Sequence, residues 1–136
     1  MNFETTEKID FYLPKVKAFV EDHVIPVEKE IHAQDRPLEE RWQPHPELEP
    51  LKEEAKKQGL WNLFLPDSEL GAGLSNFEYA HLAEQMGRTA FASEAMNCSA
   101  PDTGNMEVLV RYGSNEQQDQ WLKPLLNGEI RSAFGM

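Results

Sequence analysis

The residues whose types and spacing could do chemistry are few. Glu78-Tyr79-Ala80-His81 places a carboxylate and an imidazole one turn apart on any helix that carries them. Di-metal helical bundles use that Glu-x-x-His unit, but they need two copies and two further inward glutamates. One copy is present, and Glu78 also closes a Ser75-x-x-Glu78 capping box, so a solvated surface pair is the simpler reading. His23, His32 and His45 have no ligand spacing to one another and read as surface or connector residues. Cys98 lacks a neighbouring His or basic residue to stabilise a thiolate, which favours a small buried thiol over a nucleophile. Gly71-Ala72-Gly73 resembles a phosphate cradle only superficially: no strand precedes it and the third spaced glycine is missing, so it predicts a turn.

The elements that must position these groups are helical. Ile9, Leu13, Val16, Val20, Val24, Val27 and Ile31 recur at steps of three and four, one apolar stripe on one long helix. Thr5 or Thr6 can cap it, and Pro26 predicts a bend, because the stripe continues in phase beyond it. Prolines 37, 44 and 46 mark a connector. A second helix is expected from Glu47 to Gln58, with Leu48, Leu51 and Ala55 inward and Gly59 as its stop. Leu60 to Leu65 is an apolar connector. The third helix starts at the Ser75 capping box, with Phe77, Ala80, Leu82, Ala83 and Met86 as its expected inner face. The fourth falls in two pieces, Phe91–Asn97 and Asp102–Arg111. The fifth starts at the Ser114/Gln117 box and ends at Gly128. Trp42, Trp61 and Trp121 read as packing anchors.

Ile130 to Met136 alternates and lacks helical period, so it predicts a β-strand. A strand with no partner leaves its backbone groups without a ladder. The expectation is an all-α bundle of about five helices, spanning residues 1–129. Residues 130–136 would then be the start of a β-domain that lies beyond the chain.

Composition bounds the function. The chain has 136 residues, 13 Lys+Arg against 24 Asp+Glu, and a formal charge of −11. Apolar residues at 40% and charged residues at 27% are ordinary for a globular domain. The acidic balance argues against a partner made of phosphates: between Trp61 and Val110 only Arg88 is basic. No apolar run approaches a membrane span, and the first residues carry no secretory pattern. A single cysteine excludes an internal disulfide, and a cytoplasmic location is the default expectation.

Several stretches, in order, resemble the acyl-CoA dehydrogenase family. Gly59-Leu60-Trp61-Asn62-Leu63 through Pro66, then Leu70-Gly71-Ala72-Gly73-Leu74-Ser75, resembles its "G-L-…-P-…-G-G-x-G-L-S" connector. Tyr79-Ala80 through Glu84-Gln85-Met86-Gly87-Arg88 resembles the helix that follows. Tyr112 to Gln118 with Trp121 to Leu125 resembles "Y-G-T-E-E-Q-K-…-L-P-x-L". Ala133-Phe134-Gly135-Met136 resembles the approach to "F-A-x-T-E-P", and Asn97 to Glu107 resembles one branch whose animal members are fused to a kinase-like domain.

The resemblance implies an oxidoreductase that uses FAD to oxidise acyl-CoA thioesters between the α and β carbons. A carboxylate takes the α-proton and the β-hydrogen leaves as hydride to flavin N5. The catalytic base belongs to a C-terminal domain, so no catalytic residue is assigned here and the chain alone is expected to be inactive. Phe134, Gly135 and Met136 match the strand that lines the flavin ring, with sheet core as the less favoured alternative for Phe134. Met96, Ala100, Asp102 and Met106 match the segment lining the acyl end of the pocket. Asp102 is a charge where an acyl tail would lie; it faces solvent or recognises a polar substituent, and as a core residue or the cap of its own helix it has a structural reading at least as good. The resemblance further implies an acyl-CoA substrate, an electron-transfer acceptor protein and a homo-oligomeric intact enzyme. An acidic helical protein-binding module is the alternative.

Overall fold

Thr6 opens the first helix by accepting a hydrogen bond from the Ile9 amide through its side chain. The computed structural model describes residues 4–40 and 42–136, and every regular element among them is helical. α1 (Glu7–Phe19) runs without interruption through a π turn at Val20–Val24 into α2 (Ile25–Ala33). The predicted bend at Pro26 is this π turn. Proline has no N–H and its ring crowds the carbonyl four residues back, so the helix widens just before it. The Ile25 amide accordingly donates to the Val20 carbonyl, five residues back. The same device recurs near the other end of the chain. α7 (Asn115–Gln117) passes through a π turn at Gln118–Leu122 into α8 (Lys123–Asn127), with Pro124 next to the point where the Lys123 amide reaches Gln118.

Between these two long stretches lie α3 (Leu48–Lys57), α4 (Asn76–Met86), α5 (Ala92–Ala95) and α6 (Asp102–Tyr112). The expected helices appear as six continuous α-helical stretches, the fourth in the two pieces expected of it as α5 and α6, with one 3-10 turn at Leu38–Glu40 in the connector. α1 packs along α4, α3 against α5, and α6 against the π turn that leads into α8. The core they share holds Val16, Phe19, Val20, Val24, Leu51, Ala55, Leu60, Leu63, Leu65, Leu82 and Met106, all buried. Both capping boxes form as expected, Ser75 with Glu78 and Ser114 with Gln117.

Three expectations need correction. The inner stripe of α4 is Tyr79, Leu82, Ala83 and Met86, spaced by three, one and three; Phe77 and Ala80 fall on the exposed side. Trp42 is no anchor: it is 88% exposed on the connector, and Trp121 is about half exposed, which leaves Trp61 as the tryptophan that packs. The strand expected at 130–136 is also absent, since residues 131–136 have no regular secondary structure. A strand exists only as part of a ladder, and no other strand is present among the described residues to supply one.

Candidate functional site

The predicted site residues lie at one end of the bundle, where α5, α6 and the last residues of the chain meet. α6 begins after Pro101, which occupies the N-cap position and makes no side-chain cap. Asp102 is therefore the first residue of the helix rather than its cap, and it is buried, with 3% of its surface exposed. Its carboxylate is turned onto the chain's end. Oδ1 accepts from the Ser132 amide at 2.7 Å and from the Ser132 hydroxyl at 2.6 Å, while Oδ2 accepts from Arg131 Nε at 2.5 Å. One turn along the same face of α6, Asn105 donates to the Ser132 hydroxyl at 2.8 Å.

Arg131 extends the network, reaching Glu94 of α5 at 2.8 Å, and Glu94 lies 3.6 Å from Lys52 of α3. Cations and carboxylates alternate along it, and Lys52 is shared with Glu49 of its own helix at 2.8 Å. Burial works against the Arg131 charge, but the hydrogen bond to Asp102 and the nearby negative charges outweigh it and hold the guanidinium above its usual range.

Behind this cluster lies a second buried polar group. Asn62 and Asn97 both adopt left-handed backbone conformations, with φ of 58° and 53°. That region suits asparagine better than most residues with a side chain. Asn97 Nδ2 donates to Asn62 Oδ1 at 2.7 Å and to the Leu125 carbonyl at 3.0 Å, and Asn62 Nδ2 donates to the Leu126 carbonyl at 3.0 Å. Trp61 Nε1 reaches the same Leu126 carbonyl at 2.6 Å. Together they cap the last carbonyls of α8, adding to the Gly128 amide at Leu125 and supplying side-chain donors at Leu126. Gly128 follows with φ of 74°, and a Cβ there would come within 2.8 Å of the Trp61 ring.

Of the four residues matched to an acyl pocket, Met96 and Met106 are fully buried in the core and Asp102 is engaged by the chain's end, while Ala100 is exposed. Of the three matched to the flavin, Phe134 is 70% exposed, Met136 is fully exposed, and open space surrounds the Gly135 Cα. Beside them runs a groove of about 380 Å³ whose lining includes Val108, Leu109, Trp121, Leu125, Ile130 and Ala133. An exposed aromatic and a side-chain-free backbone position are compatible with a flat ring system at this end. Asn62, Asn97, Asn105, Arg131 and Ser132 were not singled out from sequence. The only local signal was the three asparagines themselves, a residue type suited to left-handed backbone and to capping.

The remaining chemical candidates resolve into structural roles. Glu78 accepts from the Thr6 hydroxyl at 2.7 Å and from the Ser75 amide at 2.8 Å, and these bonds lower its pKa. His81 instead packs edge-on against Phe77, with centroids 5.1 Å apart, so the two do not converge on one ligand. The Gly71 and Gly73 amides both donate to the Asp67 carbonyl, which leaves neither for a phosphate. Cys98 is buried; burial raises its thiol to a pKa of about 11, against hydrogen bonding at Phe64 and Tyr79 that lowers it. No helix among the described residues is long and apolar enough to cross a membrane.

Residues 6–129 match the family described as acyl-CoA dehydrogenase, N-terminal domain. The chain is 56% identical over 123 residues to acyl-CoA dehydrogenase family member 10 of Mus musculus, a match covering 87% of this chain and 11% of that protein. It is 52% identical over 137 residues to acyl-CoA dehydrogenase family member 11 of Gallus gallus, covering 98% of this chain and 17% of the relative. A solved structure of a putative acyl-CoA dehydrogenase from Mycobacterium abscessus superposes with a TM-score of 0.88 at 50% identity. That match covers 94% of this chain and 33% of the solved one. The chain thus spans a third or less of the length of these relatives, and within that span it belongs to the acyl-CoA dehydrogenase family, as its N-terminal helical domain.

Proposed function

We propose that this chain is the front wall of the active site in an FAD-dependent acyl-CoA dehydrogenase, acting on the CH–CH bond next to a thioester. The observation that carries the reading is the co-linear match to dehydrogenases at half identity or more, with the exposed Phe134-Gly135-Met136 end beside an apolar groove. Flavin, when bound, supplies the hydride acceptor. The chain's own contribution is geometric: Phe134 and Met136 offer apolar surface to a ring face, and Gly135 lets backbone approach closely. In the acyl pocket, exposed Ala100 would be the contacting residue of its segment. Met96, Asp102 and Met106 would form the packed layer that holds it in place.

The family resemblance assigns the proton-abstracting base to a C-terminal domain, so no glutamate of this chain is given that role. The start of a β-domain at residues 130–136, the acyl-CoA substrate, an electron-transfer acceptor protein and homo-oligomeric assembly follow from the same reading. So does a cytoplasmic, reducing setting, which the single buried free cysteine supports.

The test compares the 136-residue chain with the longer natural protein that this reading requires. Both are assayed for bound flavin and for acyl-CoA-dependent reduction of an artificial electron acceptor. The natural protein should be yellow and active, and the chain alone inactive. Turnover by the chain alone would overturn the division of labour, and a colourless, inactive natural protein would overturn the function.

A further inference from the structure

We infer that α6 is a positioning helix for the chain's end, and that Asp102 is its positioning residue: one carboxylate fixes the path along which Phe134, Gly135 and Met136 are presented. Asp102 is the only buried charged side chain among the described residues. Burying a carboxylate is costly unless charged or multiple hydrogen bonds compensate. All three of its recorded bonds go to two consecutive residues of one irregular segment, Arg131 and Ser132. None goes to its own helix. An aspartate serving α6 alone would sit one position earlier, at the N-cap, and accept from amides of the first turn.

The bonds also fix orientation. Oδ1 holds the Ser132 backbone and hydroxyl while Oδ2 holds the preceding side chain, so the segment is gripped at three points on two adjacent residues. Asn105 adds a fourth bond to the same hydroxyl and lies 3.5 Å from the Ala133 carbonyl. Glu94 pins the far side of the Arg131 guanidinium to α5. A segment without any β-ladder is thereby given one direction of exit from the bundle, with Phe134 two residues beyond the clasp. The functional meaning of that direction rests on the proposal that Phe134–Met136 faces the flavin.

Amide hydrogen exchange in the 136-residue chain tests the clasp. With Asp102→Asn, which keeps the shape and removes the charge, the Ser132 amide and its neighbours should exchange about tenfold faster or more, the scale of a charge-assisted hydrogen bond. Amides of α1 around Phe19 and Val20 should keep their rates. Ser132→Ala, a change outside the helical core, should loosen the same segment to a smaller extent. Unchanged exchange at residues 131–136 in both variants would overturn the proposal. Equal acceleration at α1 and at the chain's end would also overturn it, by making Asp102 a general stability residue.

A separate arm uses the natural protein with Asp102→Asn and reads FAD affinity and the flavin absorption spectrum. Weakened FAD binding with a shifted spectrum and unchanged melting supports positioning of the flavin contact. A flavin that does not respond to Asp102→Asn, while exchange at 131–136 accelerates, would sink the flavin reading and leave the clasp intact.

Discussion

Two polar clusters sit at different ends of the bundle and are built on opposite plans. Thr6, Ser75 and Glu78 form the first: exposed or half-buried, each side chain capping a helix start within three residues, with one hydroxyl-to-carboxylate bond joining α1 to α4. Asn62, Asn97 and Asp102 form the second: buried, with side-chain bonds that reach residues 28 to 64 positions away. The first cluster trims helix ends that water could also satisfy. The second uses side chains that water does not reach, so its loss exposes the cost of unpaired buried groups. Shape and chemistry at the candidate site depend on the second.

The comparison predicts a graded series. Asn97→Leu should be the most damaging, because it leaves the Leu125 carbonyl and Asn62 Oδ1 without that donor and puts a poorly suited residue at positive φ. About 3 kcal/mol of stability should be lost, from one to three per unsatisfied buried group. Urea unfolding reads this directly, and a loss no larger than that of a cap variant would erase the distinction between the clusters. Gly128→Ala comes next, at about 2 kcal/mol, from the left-handed penalty and the approach to the Trp61 ring. Its tryptophan emission should shift as Trp61 is displaced.

Alkaline pH probes the packed interior between the two clusters. The unfolded Cys98 thiol ionises near its ordinary value of 9.0, whereas the folded one resists until about 11. The unfolded state therefore binds fewer protons across that window, and stability should fall as pH rises through it. The drop should be about 1 kcal/mol between about pH 7 and about pH 10, and Cys98→Ala should remove that part of it. Tyr79, whose pKa is raised mainly by burial, contributes in the same direction at higher pH.

The smallest effect belongs to the exposed cluster. Glu78→Gln should cost about 1 kcal/mol at neutral pH, the scale of a helix cap. Hydrogen bonds from Thr6 and then Ser75 lower the Glu78 pKa, so its contribution is present above the usual carboxylate range and is lost as pH falls through the lowered value. Unfolding midpoints of the parent and the variant should accordingly converge towards about pH 3. Persistent separation there would assign the effect to packing rather than to charge.

Sequence reasoning reached the helices because each depends on near neighbours. The Ile9-to-Ile31 stripe, the Ser75 and Ser114 boxes and the stop at Gly128 all emerged where expected. Where two phases of one helix were both apolar enough, it took in part of the wrong one: Phe77 and Ala80 read as inward, yet they are exposed and α4 covers Tyr79, Leu82, Ala83 and Met86. Asp102 could be flagged as a charge out of place, with core or cap favoured over a pocket role, but one letter could not say which distant residues would hold it. A lone strand motif at 130–136 likewise could not form where no ladder was available.

Order along the chain, family resemblance and the start and stop of most helices were thus fixed by local patterns, since helix periodicity and caps act over three or four residues. Tertiary structure alone decided that Asp102 holds Ser132, that Asn97 closes α8, and that Phe134 stands in the open. A buried polar atom needs a partner, but nothing in its own neighbourhood says which distant residue the fold will bring to it.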